Sequence, residues 1–190
     1  MLNEPSLEFR IHAERTPNPH SIKWILGQEL VSTGAVAHFE EEVDSSVSPL
    51  AAALFQIHGV VGVSLVGNTV TMTKTEQYEW TDLAESIVEI LRDFAVEKRT
   101  VFGPAFRPPE QEAVEDPIVA RIIEVIETEI RPAVAGDGGD VLFAGFEDGV
   151  VQVHLQGACV GCPSSTATLR FGIEGRLKEA VPQVREVIAI

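Results

Sequence analysis

Cys159 and Cys162, the two cysteines of the chain, are the residues whose type and spacing promise chemistry. The intervening Val160 and Gly161 let both sulfurs face one metal ion or cluster, or close into a disulfide. An alternating run ends just before the pair, and Pro163 follows it, fixing the backbone for a first helical turn. Unpaired N–H groups at a helix N-terminus favour thiolate over thiol, and the thiolate is both the nucleophile and the metal ligand. Gly157 and Gly161 let backbone N–H groups approach bound sulfur, while Ser164, Ser165 and Thr166 bring hydroxyls to the helix start. Ligand count then becomes the question. Tetrahedral zinc or an iron–sulfur cluster takes about four protein ligands, and one CxxC supplies half of them. A second chain, a non-protein ligand, or redox chemistry in place of metal binding would close the gap.

Other polar clusters carry less. Asp137 and Asp140 flank two glycines and read as turn residues rather than ligands. His154 lies opposite Val151 and Val153 on a strand pattern and reads as an exposed strand histidine. His12, His20, His38 and His58 show no metal-type spacing, and Glu40, Glu41 and Glu42 form a solvated charge run. The N-terminal half has no cysteine and no recognisable catalytic set, so a docking surface for partners is the reading left to it. The whole is read as a non-enzyme.

The elements that must position the cysteines are legible. Asp116-Pro117 is a helix cap with Pro at the first helical position, and Ile118, Ile122, Val125, Ile126 and Ile130 continue with helical period until Pro132, where the helix is expected to end. A turn over Asp137–Asp140 leads into a strand, Val141 to Phe146, and Glu147-Asp148-Gly149 reverses the chain into a second, Val150 to Gln156. After the cysteine loop, a helix carries Leu169, Ile173 and Leu177, and Arg185 to Ile190 adds an edge strand.

Upstream, Leu7–His12 and Ser21–Leu26 read as strands around Thr16-Pro-Asn-Pro19. Ser48-Pro49 opens a helix that Gly59 stops. Val60–Val66 and Thr69–Thr73 form a hairpin over Gly67-Asn68, and Trp80–Val96 carries an apolar stripe through Leu83, Ile87, Ile90, Leu91 and Phe94. Pro104, Pro108 and Pro109 mark a linker. The expected fold class is α+β: two small domains, residues 1–98 and 116–190, each a small sheet with two helices, joined by a Pro-rich linker over 99–115.

Composition sets the outer bounds. Apolar residues are 45% and charged residues 23% of 190, enough apolar material for a core. Asp and Glu number 29 against 14 Lys and Arg, a net charge of −15 shared by both halves. Such a surface repels phosphate backbones and anionic lipid, so neither nucleic acid nor membrane is an expected partner. The first ten residues lack the basic and apolar regions of a secretory signal, which predicts a cytoplasmic, reducing setting.

Three segments in order, Asp137-Gly-Gly-Asp-Val141, Gly145-Phe-Glu-Asp-Gly149 and Leu155-Gln-Gly-Ala-Cys-Val-Gly-Cys-Pro-Ser-Ser-Thr166, resemble the NifU-like C-terminal domain of the Nfu family. Thr16-Pro-Asn-Pro-His-Ser-Ile-Lys23, Ser48-Pro-Leu-Ala51 and Leu54-Phe-Gln-Ile-His-Gly-Val60 resemble the Nfu N-terminal domain. The resemblance implies an iron–sulfur cluster assembly and carrier protein. In that family two protomers bridge one [4Fe–4S] cluster, here through Cys159 and Cys162 of each, with an upstream scaffold as donor and apo iron–sulfur proteins as recipients. It would be a homodimer when cluster-bound. A labile, partly exposed pair of thiolates at the protomer interface would suit release. A CxxC thiol–disulfide oxidoreductase is the alternative, and a zinc-bridged dimer uses the same four sulfurs.

Overall fold

Alternation in the N-terminal half resolves into a five-stranded antiparallel sheet. The computed structural model describes residues 9–31, 36–108, 116–160 and 165–190, the side chains of 165–170 excepted. The chain forms two compact units that divide near residue 109, with Thr16–Pro19 grouped in the second. In the first, strands β1 (Ile11–Arg15), β2 (Ser21–Leu26), β3 (Val36–Phe39), β4 (Val60–Val66) and β5 (Thr69–Lys74) lie in the order β1-β2-β5-β4-β3. Helices α1 (Pro49–Phe55) and α2 (Trp80–Val96) complete the unit. The strand expected over Leu7–His12 is displaced along the chain to Ile11–Arg15, and residues 1–8 lie outside the described residues.

Period explains the packing. Leu83, Ile87, Leu91 and Phe94 recur every three or four residues along α2 and are buried with Leu50 and Leu54 of α1 against Trp24, Leu26, Leu65, Val70 and Met72 of the sheet. Strand register puts a polar row on alternate positions, with Glu14, Lys23, Thr71, Ser64 and His38 side by side across five strands. Ser48 caps α1, accepting from the Ala51 N–H at 3.2 Å, and donates its hydroxyl to the Val101 carbonyl at 2.8 Å. That second bond matters for the proline segment. Val101 is buried and Phe102 packs on the first core. Gly103 donates to Val47, and the Phe102 and Phe106 rings stack at 3.9 Å. Residues 99–108, assigned to a linker on their prolines, therefore pack on the first unit; proline suppressed helix and strand there without detaching the chain.

The second unit begins at α3 (Pro117–Val125), whose cap Asp116 accepts from the Ile118 N–H at 2.7 Å. Pro132 does not end this helix. The backbone widens into a π turn over Ile126–Ile130, in which the Arg131 N–H reaches back to the Ile126 carbonyl, and α4 (Arg131–Gly136) continues with Pro132 in its first turn. The wider turn accommodates a residue that lacks an N–H and crowds the preceding carbonyl. Strands β6 (Gly139–Glu147) and β7 (Val150–Gly157) form an antiparallel hairpin, α5 (Ser165–Ala180) crosses over, and β8 (Glu186–Ala189) pairs parallel to β7. Its core joins Ile122, Val125, Ile126 and Val134 to Val141, Val151, Val153, Ile173, Leu177 and Val187. The architecture is α+β in both units.

Candidate functional site

The cysteine loop is stitched to the turn that precedes β6. Gly139 and Gly157 are opposite one another at the end of the hairpin. Beyond Gly157 the chain turns tightly: Cys159 donates its N–H to Gln156 and Val160 to Gly157, while Ala158 donates across to the Gly138 carbonyl at 3.1 Å. Cys159 is thereby held over the start of β6. A Cβ on Gly139 would fall 2.1 Å from Cys159 Sγ, 3.2 Å from Val134 Cγ1 and 3.3 Å from Cys159 Cβ. Glycine is the residue that lets this sulfur sit where it does.

The seat is a buried one. Cys159 is 5% exposed and belongs to the core of the second unit. The partly exposed thiolate expected from the sequence is corrected at this position: with no side chain on Gly139, the strand end leaves a socket that the small, apolar Cys side chain fills. Cys162, with Gly161, Pro163 and Ser164, lies outside the described residues, and α5 is described from Ser165. Among the described residues no group of three His, Cys, Asp or Glu side chains gathers as a metal-ligand set.

Asp140 is not the turn residue it was read as. It belongs to β6, is buried, and forms a two-point pair with the Arg131 guanidinium, Nε to Oδ1 and Nη2 to Oδ2 both at 2.7 Å. Its Oδ1 also accepts the Val141 N–H at 2.8 Å, and Glu127 takes the remaining face of Arg131 at 2.6 Å. The Asp140 hydrogen bonds, with help from Glu127, raise the Arg131 pKa against the opposing effect of burial. This network ties the helix beyond the π turn to the first residues of β6, and so fixes the strand end on which Cys159 rests. Sequence reasoning missed Arg131 and Glu127. Their only signal was polar residues interrupting an apolar helical pattern. Asp137, by contrast, is exposed and does lie in the turn after α4. His154 is exposed on β7, its Nδ1 3.2 Å from the Ile190 carbonyl. Glu40, Glu41 and Glu42 are exposed as expected.

A two-unit α+β chain with a close cysteine pair following strand β7 fits proteins that hold a metal or cluster through thiolates and proteins that cycle a disulfide. Family models specify it further. Residues 11–98 match the model described as scaffold protein Nfu/NifU N terminal, and residues 122–188 match the NifU-like domain. The chain is 39% identical over 184 residues to the protein named "NFU1 iron-sulfur cluster scaffold homolog, mitochondrial" of Homo sapiens, covering 93% of this chain and 70% of that one. It is 36% identical over 179 residues to the protein of the same name from Drosophila sechellia, covering 93% of this chain but only 63% of the fly protein's length. Among solved structures, that of a NifU-like protein from Saccharomyces cerevisiae is similar over 54% of this chain and 92% of its own, at 19% identity and a TM-score of 0.44. The chain belongs to the Nfu family of iron–sulfur cluster scaffold and carrier proteins. No helix among the described residues is long and apolar enough to cross a membrane.

Proposed function

We propose that this protein carries iron–sulfur clusters, with Cys159 and Cys162 of two copies sharing one [4Fe–4S] cluster that is then passed to apoproteins. The observation that carries the reading is the incomplete ligand set: a chain with two cysteines in all, in a family of cluster scaffolds, supplies half of a cluster's usual thiolates. A second copy supplies the other half.

Delivery follows as ligand exchange. An acceptor cysteine gives up its proton and binds iron as thiolate; the bond from iron to the carrier's sulfur breaks, and that sulfur regains a proton. Repeated for each ligand, the exchange leaves the cluster's oxidation state unchanged and consumes no reductant. The socket against Gly139 and Val134 is the seat to which the released Cys159 sulfur returns. Donor and recipients in this reading are an upstream cluster scaffold and apo iron–sulfur proteins. We place the protein in the cytosol, whose reducing poise keeps both thiols available.

Anaerobic reconstitution with ferrous iron and sulfide tests the reading. The expected product is brown, with sulfide-to-iron charge-transfer absorption and about two irons per chain, as one [4Fe–4S] cluster per pair of chains requires. Cys162→Ser should abolish loading. A colourless protein holding stoichiometric zinc, or one cycling only between dithiol and disulfide, overturns it.

A further inference from the structure

The carrier reading demands that two copies meet close to the cysteine loop, and the helix that follows that loop carries an apolar residue pointing away from the core. In α5, Ile173 and Leu177 are buried at 3% and 0% exposure and define the core side. At the helical period of about 100° per residue, Phe171 and Gly175 emerge on the opposite side. Phe171 is 73% exposed, the most exposed of the large apolar residues described, and Val160, between the two cysteines, is 42% exposed. A side chain on Gly172 or Gly175 would meet nothing within 4 Å among the described residues.

We propose that this outward face of α5, made by Phe171, Gly172 and Gly175, is the surface on which a second copy of the chain docks when the two cysteine pairs share a cluster. The inference rests on the carrier reading and adds the place of contact.

Three observations select a second copy as occupant. In the carrier reading the site is short of two thiolates, and a second copy brings a matching pair. A two-fold interface must be self-complementary, each copy offering what the other needs; an aromatic knob one helical turn from a glycine hollow is such a pattern, with Phe171 of one copy seated over Gly175 of the other. Charge points the same way. A chain of net charge −15 resists its own kind, so contact calls for a locally neutral face. The described charges that border the face are engaged on their own chain, Lys178 with Glu174 and Arg176 with both Glu129 and Glu179.

Area decides when the contact forms. An aromatic side chain contributes roughly 150–250 Å², and the glycines little, against about 800 Å² per partner for a standard stable interface. The face is too small to hold two apo chains together. It orients them once the cluster links their sulfurs. Phe171 lies about 9 Å along the helix from Ser165, at 1.5 Å rise per residue, so the contact is near the loop it serves.

The test compares the parent chain with Phe171→Asp, Gly175→Gln and the conservative Phe171→Leu, each reconstituted anaerobically and examined for mass by native mass spectrometry and for cluster per chain. Apo forms are compared by circular dichroism and thermal melting, where the exposed positions predict no loss of fold. Parent and Phe171→Leu should form cluster-bearing dimers, while Phe171→Asp and Gly175→Gln should retain about tenfold less cluster dimer at equal protein concentration. Should all variants dimerise and load like the parent, the docking face is wrong and the carrier reading stands. If the parent itself loads no cluster, or loads as a monomer, the carrier reading falls and takes this inference with it. Variants that dimerise normally but fail only to deliver cluster to an acceptor would assign the face to that acceptor, which also overturns the proposal.

Discussion

Replacing Gly139 by alanine puts a methyl carbon 2.1 Å from Cys159 Sγ, where non-bonded heavy atoms settle at about 3.5–4.0 Å. Some 1.5 Å must be found, by roughly that difference. Strand β6 cannot easily supply it, since Gly139 is paired to Gly157 and Asp140 is clamped to Arg131. Val134 Cγ1 at 3.2 Å and Cys159 Cβ at 3.3 Å close the remaining directions. The softest response is rotation of the Cys159 side chain, which carries Sγ out of its socket and leaves the Cβ contact tight. Overpacking of this kind costs about 1–3 kcal/mol, readable as a lower midpoint in denaturant. The more telling assay is labelling of Cys159 by a thiol reagent in a Cys162→Ser background, where it is the sole cysteine. Losing about 1.4 kcal/mol of protection accelerates labelling about tenfold. A Gly139→Ala protein with unchanged midpoint and unchanged labelling would refute the buried seat of Cys159. Gly172→Ala is the control: with open space at its Cβ, it should raise apo stability by about 0.5–1 kcal/mol through backbone entropy alone.

Removing one member of the buried pair should be severe. Asp140→Ala leaves the Arg131 charge half-buried with Glu127 alone, and a loss of about 3–5 kcal/mol in chemical denaturation is expected. A loss under 1 kcal/mol, the range of exposed pairs, would show that the pair is solvated. Ser48→Ala removes the cap of α1 and the donor to Val101, and about 1–2 kcal/mol of stability should go with the cap; unchanged unfolding would mean that 99–108 is not anchored there. Gly59 stands at φ +97°, with the Tyr78 Cδ2 2.3 Å from where a Cβ would be. Gly59→Ala combines strain with a clash, so a decrease in thermal midpoint larger than that of Gly139→Ala is expected.

Much of this arrangement was legible because local chemistry and tertiary structure agree. Ser48-Pro49 and Asp116-Pro117 start helices where their capping oxygens and prolines said they would, and α2 has the bounds its apolar stripe marks out. The hairpin turns at Gly67-Asn68 and at Asp148-Gly149 are also where expected. What escaped was set by partners distant in sequence. Strand β3 is four residues long and owes its conformation to pairing with β4, which no local pattern announces. Pro132 read as a terminator because proline breaks an α-helix, but a π turn changes what the following residue must supply. Asp140 looked like turn chemistry beside two glycines, and only its Arg131 partner shows otherwise. At the cysteines, the strand-to-loop position was readable. The burial of Cys159 was not, because the socket is an absence: the missing side chain of Gly139, twenty residues upstream.

The parallel pairing of β8 has a consequence for the order in which this molecule is made. Strand β7, which leads directly into the cysteine loop, is covered on one edge by β6 and on the other only by residues 186–189. During synthesis the first unit is complete in sequence long before β8 exists, and so is the hairpin of β6 and β7. Until residues 186–189 are made, the nascent chain presents an open β7 edge beside the cysteine loop. Unpaired edges recruit other strands, so the pairing of β8 also closes to foreign strands the one that leads into the cysteine loop.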